Sequence, residues 1–182
     1  MTMKIIGITG TLGAWKGTVV DYLVEKKDYD HFSVRAFLTE EIERRNLPVD
    51  RDSMREIANE LRAEHGPAYV VKQLFLKAQQ WYKDAIIESI RAVGEVTALK
   101  EEDNFFFLWV DADQKLRYER AVKRGSETDH VSFEEFQRQE ALEMSNTDPS
   151  KQNLGACMQL ADKVVFNNGT LEELYQQLED IM

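Results

Sequence analysis

An apolar run, Met3-Lys4-Ile5-Ile6-Gly7-Ile8, leads directly into Thr9-Gly10-Thr11-Leu12-Gly13-Ala14-Trp15-Lys16-Gly17-Thr18. Val19-Val20-Asp21-Tyr22-Leu23 then opens a helical pattern. Buried strand, glycine-bearing turn, lysine and helix form the order that a phosphate-cradling loop requires. Glycines let backbone N–H groups turn inward around an anion, and a helix N-terminus adds about half a positive charge. Lys16 is placed to reach the outer phosphates of a nucleoside triphosphate. The competing reading is a glycine-containing turn in some other α/β protein. Gly17 stands where Ser or Thr usually follows the lysine, and Thr18 comes one step later. Trp15 occupies the glycine position before the lysine, where backbone must approach phosphate closely and an indole can clash or alter φ/ψ.

An acidic balance narrows the partners. A formal net charge of −10 over 182 residues argues against a general nucleic-acid-binding surface, which needs a basic face. A local basic cluster can still hold a small nucleotide. The hydrophobic fraction of 43% supports a sizeable core, and the length suits one domain, residues 1–182. A single cysteine, Cys157, leaves no internal disulfide framework and fits a reducing compartment. Met1-Thr2-Met3-Lys4 has no long apolar signal core, and Phe105-Phe106-Phe107-Leu108-Trp109-Val110 is too short to span a bilayer. A cytoplasmic protein without a membrane partner is expected, and the chain is compatible with a homo-oligomer.

Beyond the loop, periodicity predicts a helix over 16–26, a short strand over 29–35 and helices over 36–45 and 53–64. Asp50 or Asp52 is suited to cap the last of these. Pro67 introduces a further helix to about Trp81. A buried strand over 85–91, a helix over 93–100 and a strand over 104–110 follow, with Asp111-Ala112-Asp113 read as capping the next helix and Asp111 as a weaker acidic candidate. After a helix to about Lys123, residues 124–131 form a polar loop, and Ser132-Phe133-Glu134-Glu135 is a capping-box pattern. Residues 145–152 read as a loop, 153–161 as a short helix, and 163–167 as the last strand. Thr170-Leu171-Glu172-Glu173 is a second capping box opening the terminal helix. Such alternation predicts a mainly parallel five-stranded sheet covered on both faces, a three-layer α/β P-loop architecture. The equal spacing of Gly7, Gly10 and Gly13 is not the G-x-G-x-x-G of a dinucleotide-binding fold.

The sequence Lys16-Gly17-Thr18 resembles adenylate-kinase-type loops. Together with Ile86-Ile87-Glu88-Ser89-Ile90-Arg91, the stretch 117–124 and the stretch 167–174, it resembles the small P-loop nucleoside monophosphate kinases over nearly the whole chain. Dephospho-CoA-kinase-like and adenylate-kinase-like proteins are the nearest types. The resemblance implies phosphoryl transfer from ATP, with Mg²⁺, to a nucleoside monophosphate or related nucleotide. Gly10, Leu12, Gly13, Ala14, Trp15, Lys16, Gly17 and Thr18 would then wrap the donor phosphates, with Asn167 and Gly169 near the donor base. It further implies a helical acceptor-binding region over 33–81, with Arg91 as an acceptor-side arginine, and a small lid over 124–138; Arg35 and Arg62, within that region, are candidates for acceptor phosphate. Arg120 and Arg124 match lid arginines, and Arg138 sits where a lid-return arginine could lie.

Arginine suits these places because phosphoryl transfer spreads negative charge over oxygens, so positioned cations carry much of the catalysis. Arg120 and Arg124 are four apart and can project from one helix face, although a face patterned for solubility looks the same. Glu88 ends an apolar run where the resemblance usually has aspartate, and an acid there can hold Mg²⁺ through water. A strand-end carboxylate satisfied by its loop is the equal alternative. Arg35 and Arg62 also fit surface ion pairs, and His31 reads as an ordinary surface or strand-entry residue. Two other functions remain open on sequence: a nucleotide-binding regulatory protein weakened in turnover by Trp15, and a dephospho-CoA kinase.

Overall fold

The computed structural model describes residues 3–124, 132–145 and 153–181. The expected lid therefore has residues 125–131 outside the described residues, as does the expected loop at 146–152. The strands are β1 (Ile5–Gly10), β2 (Asp30–Ser33), β3 (Ala85–Glu88), β4 (Phe105–Asp111) and β5 (Lys163–Phe166). They form one sheet in the order β2-β3-β1-β4-β5, with every pairing parallel. The anticipated three-layer α/β fold is present.

The sheet's two faces explain its layers. Ile5, Ile87, Phe107 and Trp109 point to one face. Packed there are α2 (Val34–Arg44), α3 (Arg51–His65), α4 (Tyr69–Gln80), α5 (Val93–Leu99) and α8 (Leu154–Gln159). Ile6, Ile8, Ile86, Leu108, Val110 and Val165 point to the other face, against α1 (Lys16–Lys27) and α9 (Leu171–Glu179). Because β1 lies centrally and is buried on both faces, its run is apolar rather than alternating. Two further helices, α6 (Gln114–Arg124) and α7 (Phe133–Met144), follow β4. Among the described residues no helix is long and apolar enough to cross a membrane.

Several boundaries differ from the sequence reading for local reasons. β2 stops at Ser33, whose hydroxyl accepts the Ala36 N–H and caps α2, so Arg35 belongs to a helix. Asp50 caps α3 by accepting the Ser53 N–H at 2.9 Å. Asp111 ends β4, and of the stretch 111–113 it is Asp113 that directly precedes α6. The Thr170–Glu173 capping box is complete. At Ser132 only half forms, because the Glu135 carboxylate turns to Arg138 and Gln139.

β3 ends at Glu88 rather than Arg91 because Ser89 adopts φ 74°. That left-handed conformation crowds a β-carbon. Ser89→Gly is expected to raise stability by roughly 0.5–1 kcal/mol, after the greater freedom of glycine in the unfolded chain is allowed for. A urea titration monitored by circular dichroism checks this; an unchanged or lower midpoint would show that the serine is unstrained.

Candidate functional site

The parallel strands β1, β3 and β4 end at the same edge of the sheet, where their connecting loops gather. Here the glycine turn passes from β1 into α1. Ala14 N–H donates to Thr11 O at 3.3 Å, and Thr18 N–H donates to Trp15 O at 3.1 Å. Helix α1 has no side-chain cap at its start. Its first N–H groups therefore face the turn without a competing side-chain oxygen, the condition for receiving an anion.

An open cleft of about 460 Å³ lies above this turn. Leu12, Gly13, Trp15, Lys16, Gly17 and Thr18 contribute from the turn and α1. Glu88 and Arg91 enter from the end of β3, Arg120 and Arg124 from α6, and Asp21 from α1. The structure thus brings Lys16, Arg91, Arg120 and Arg124 together opposite Glu88 and Asp21. A locally cationic cleft in an acidic chain is what selective binding of a small anion needs. Lys16 Nζ lies 3.4 Å from Gly10 O and 3.3 Å from Thr11 O, folded over the turn.

Trp15 is the residue at the start of α1 and takes a left-handed conformation, φ 58° and ψ 51°. The residue is 47% exposed and lines the cleft. The ring centroid is 4.8 Å from Arg120 Cζ.

Glu88 Oε2 lies 3.0 Å from His31 Nε2. His31 holds the Glu88 carboxyl below its ordinary range, Lys16 and Arg91 add to the effect, and burial opposes it. Because its pKa is depressed in the fold, the carboxylate's stabilising effect is present above the unfolded carboxylate range. That effect is lost as pH falls through the lower folded value. His31→Ala is expected to raise the Glu88 pKa, since the largest lowering cause disappears while burial stays. A carbon-13 NMR titration of the side-chain carboxyl checks this; an unmoved pKa would assign the depression to Lys16 and Arg91 instead.

Other residues singled out in the sequence lie elsewhere. Arg35 is exposed at the start of α2. Arg62 lies on α3, where its Nη2 donates to Asn59 Oδ1 at 3.1 Å, outside the cleft lining. Arg62 and Arg91 nevertheless both act electrostatically on the buried Glu95. Arg91 follows a turn rather than ending a strand, and its backbone N–H donates to Glu95 Oε2 at 2.9 Å. Arg138 is exposed and held by Glu135 on the same helix, away from the cleft residues. Asn167 is buried, and its side-chain amide donates to Ala14 O at 3.1 Å, bracing the turn from behind. Gly169 packs against the Glu173 carboxylate.

Arg117 and Glu140 support the site without having been singled out for it, together with Thr11 of the turn and Asp111. Thr11 Oγ1 donates to Asp111 Oδ1 at 2.6 Å, tying the turn to the end of β4. Arg117 donates to Leu12 O at 3.2 Å and Ala112 O at 2.7 Å, and pairs with Glu140 on α7. Arg117 falls within the quoted stretch 117–124, three residues before Arg120, but nothing in its spacing announces burial.

The same architecture occurs in solved structures. TT1252 from Thermus thermophilus superposes with a TM-score of 0.66 at 21% identity, covering 100% of this chain and 97% of that one. Shikimate kinase from Bacteroides thetaiotaomicron superposes with a TM-score of 0.61 at 12% identity, covering 98% of both. At such identities these likenesses establish the P-loop kinase-like fold. In sequence, a UPF0200 protein of Thermococcus sibiricus is 29% identical over 181 residues, which is 96% of this chain and 92% of the relative. The AAA domain family matches residues 6–143, and the chain belongs to that family.

Proposed function

We propose that this protein transfers a phosphoryl group from ATP to a nucleoside monophosphate or related nucleotide. The observation that carries the reading is the convergence of Lys16, Arg91, Arg120 and Arg124 on a cleft above the uncapped start of α1. In this reading the turn from Gly10 to Thr18 wraps the donor phosphates. Lys16 swings from the Gly10 and Thr11 carbonyls to the outer phosphates. Arg120 and Arg124 neutralise charge on the transferring group, and Arg91 faces the acceptor. No covalent nucleophile is required, because alignment and charge neutralisation lower the barrier of this reaction.

Mg²⁺ fits the donors present. Among the described residues no cluster of three or more His, Cys, Asp or Glu forms a metal cage. Mg²⁺ bound with phosphates keeps several waters and needs only one or two protein carboxylates. Glu88, at the cleft, would hold the ion through water, and Mg²⁺ would supply charge neutralisation to the phosphates. The helical region over 33–81 would receive the acceptor.

The test is purified protein with ATP, Mg²⁺ and an acceptor panel of nucleoside monophosphates, their deoxy forms and dephospho-CoA. Acceptor-dependent ADP formation is expected, and competition between acceptors ranks them. No transfer where a control kinase works sinks the kinase reading. Tight ATP binding without transfer would then favour a regulatory binding protein, the reading that Trp15 in the turn supports.

A further inference from the structure

We infer that Trp15 is a positioning residue: its indole holds the Arg120 guanidinium at the mouth of the turn, ready for an incoming phosphate. The inference rests on the phosphate-binding reading of the same turn.

Arginine carries its N–H donors in the plane of the guanidinium, so a ring stacked on one face leaves all of them available. Arg120 meets such a ring, with Cζ 4.8 Å from the Trp15 centroid. Arg44, Arg45, Arg117 and Arg138, by contrast, each pair with a carboxylate. A carboxylate would occupy the donors that phosphate oxygens need; an indole does not.

The donors of Arg120 show the consequence. Its Nη1 is buried and has no hydrogen-bond partner among the described residues. Burying an unpaired donor of a charged group is unfavourable, and native structures rarely leave one without a reason. Burial also pulls the guanidinium pKa down, as expected for a cation lacking an anionic partner. An acceptor oxygen arriving in the cleft would satisfy this N–H. The other side of the contact is equally telling. Trp15 has φ 58°, a conformation a β-carbon disfavours, at the step where the chain enters α1. That backbone places the indole beside α6, and the same cleft is lined by Lys16 and Arg124.

An obstructive indole and a positioning indole give opposite expectations for Trp15→Gly. Obstruction means that glycine tightens phosphate binding. Positioning means that glycine weakens it even though the left-handed backbone is relieved. The experiment is calorimetric titration with ATP–Mg²⁺ and with inorganic tripolyphosphate. It compares wild type, Trp15→Phe, Trp15→Gly, Arg120→Ala and the Trp15→Gly/Arg120→Ala double variant, with a thermal melt of each.

Trp15→Gly is expected to weaken both ligands about five-fold, with an unchanged or higher melting temperature, while Trp15→Phe keeps most of the affinity. In the Arg120→Ala background the glycine is expected to have almost no further effect, because the two residues act as a unit. Unchanged or tighter binding by Trp15→Gly overturns the inference and leaves the phosphate reading standing. An effect that persists undiminished without Arg120 does the same. If wild type binds neither ligand, the phosphate reading itself falls and this inference with it.

Discussion

Arg117→Ala is expected to cost about 3–5 kcal/mol of folding stability, the range for breaking a buried, hydrogen-bonded ion pair. Arg117 is 5% exposed and joins three parts of the chain. Nε donates to Ala112 O at 2.7 Å and lies 3.4 Å from Asp111 Oδ1, fixing the end of β4. Nη1 donates to Leu12 O at 3.2 Å in the glycine turn and pairs with Glu140 on α7. Alanine leaves two poorly solvated carboxylates without their cation and two carbonyls without a donor. A lysine carries the charge but cannot serve these acceptors with one compact ammonium.

Equilibrium urea denaturation measures the loss, and a change below about 1 kcal/mol would mean that solvent reaches these groups. Arg117→Met/Glu140→Leu is expected to recover part of the stability, since only Asp111, rather than Asp111 and Glu140 both, is then left without its cation. Phosphate binding is expected to stay impaired in the double variant, because Leu12 O still lacks its donor. That split separates the arginine's part in folding from its part in shaping the turn.

The repeating strands and helices were legible because each obeys a local rule. An apolar run flanked by helical periods can be read without knowing its neighbours. Strand order and register are different in kind. Glu88 meets His31 because β2 lies beside β3 in a register that pairs Ser33 with Glu88. His31 is the exposed strand residue its sequence context suggests, but no local pattern encodes its pairing with Glu88. The Thr11–Asp111 contact has the same origin. The stretch from Asp111 suggested a cap, and β1–β4 pairing brings the Asp111 carboxylate to Thr11.

The arginines show where spacing alone carries and where it fails. Arg120 and Arg124 reach the same cleft because one helix face holds both, a relation readable at four-residue spacing. Arg138 is three residues from Glu135 on α7, and that local pair holds it away from the cleft. A three-residue charge pair was equally visible in the sequence and pointed to the bland outcome. Trp15 lies beyond any such rule, since its contact is with Arg120 of α6, far away in the chain.

Gly10→Ala is expected to cost at least about 3 kcal/mol and to abolish phosphate binding, through backbone rather than side-chain interference. Gly10 ends β1 opposite Val110 in the β1–β4 register. A β-carbon built there lies 1.9 Å from Val110 O, 2.8 Å from Val110 C and 3.0 Å from Val110 N, with φ at +154°. All three atoms belong to the backbone of a central strand, so no flexible side chain can yield. Relief requires β1 and β4 to part where the turn begins, which also pulls Thr11 from Asp111. Gly17 provides the internal control, because a β-carbon there meets nothing within 4 Å. Gly17→Ala is therefore expected to fold normally, with a gain of up to about 1 kcal/mol from better helix propensity in the first turn of α1. Thermal melts of the two variants give the comparison directly. Equal loss in both would mean that the turn needs glycine generally; loss only at Gly10 ties the requirement to the close approach of two strands.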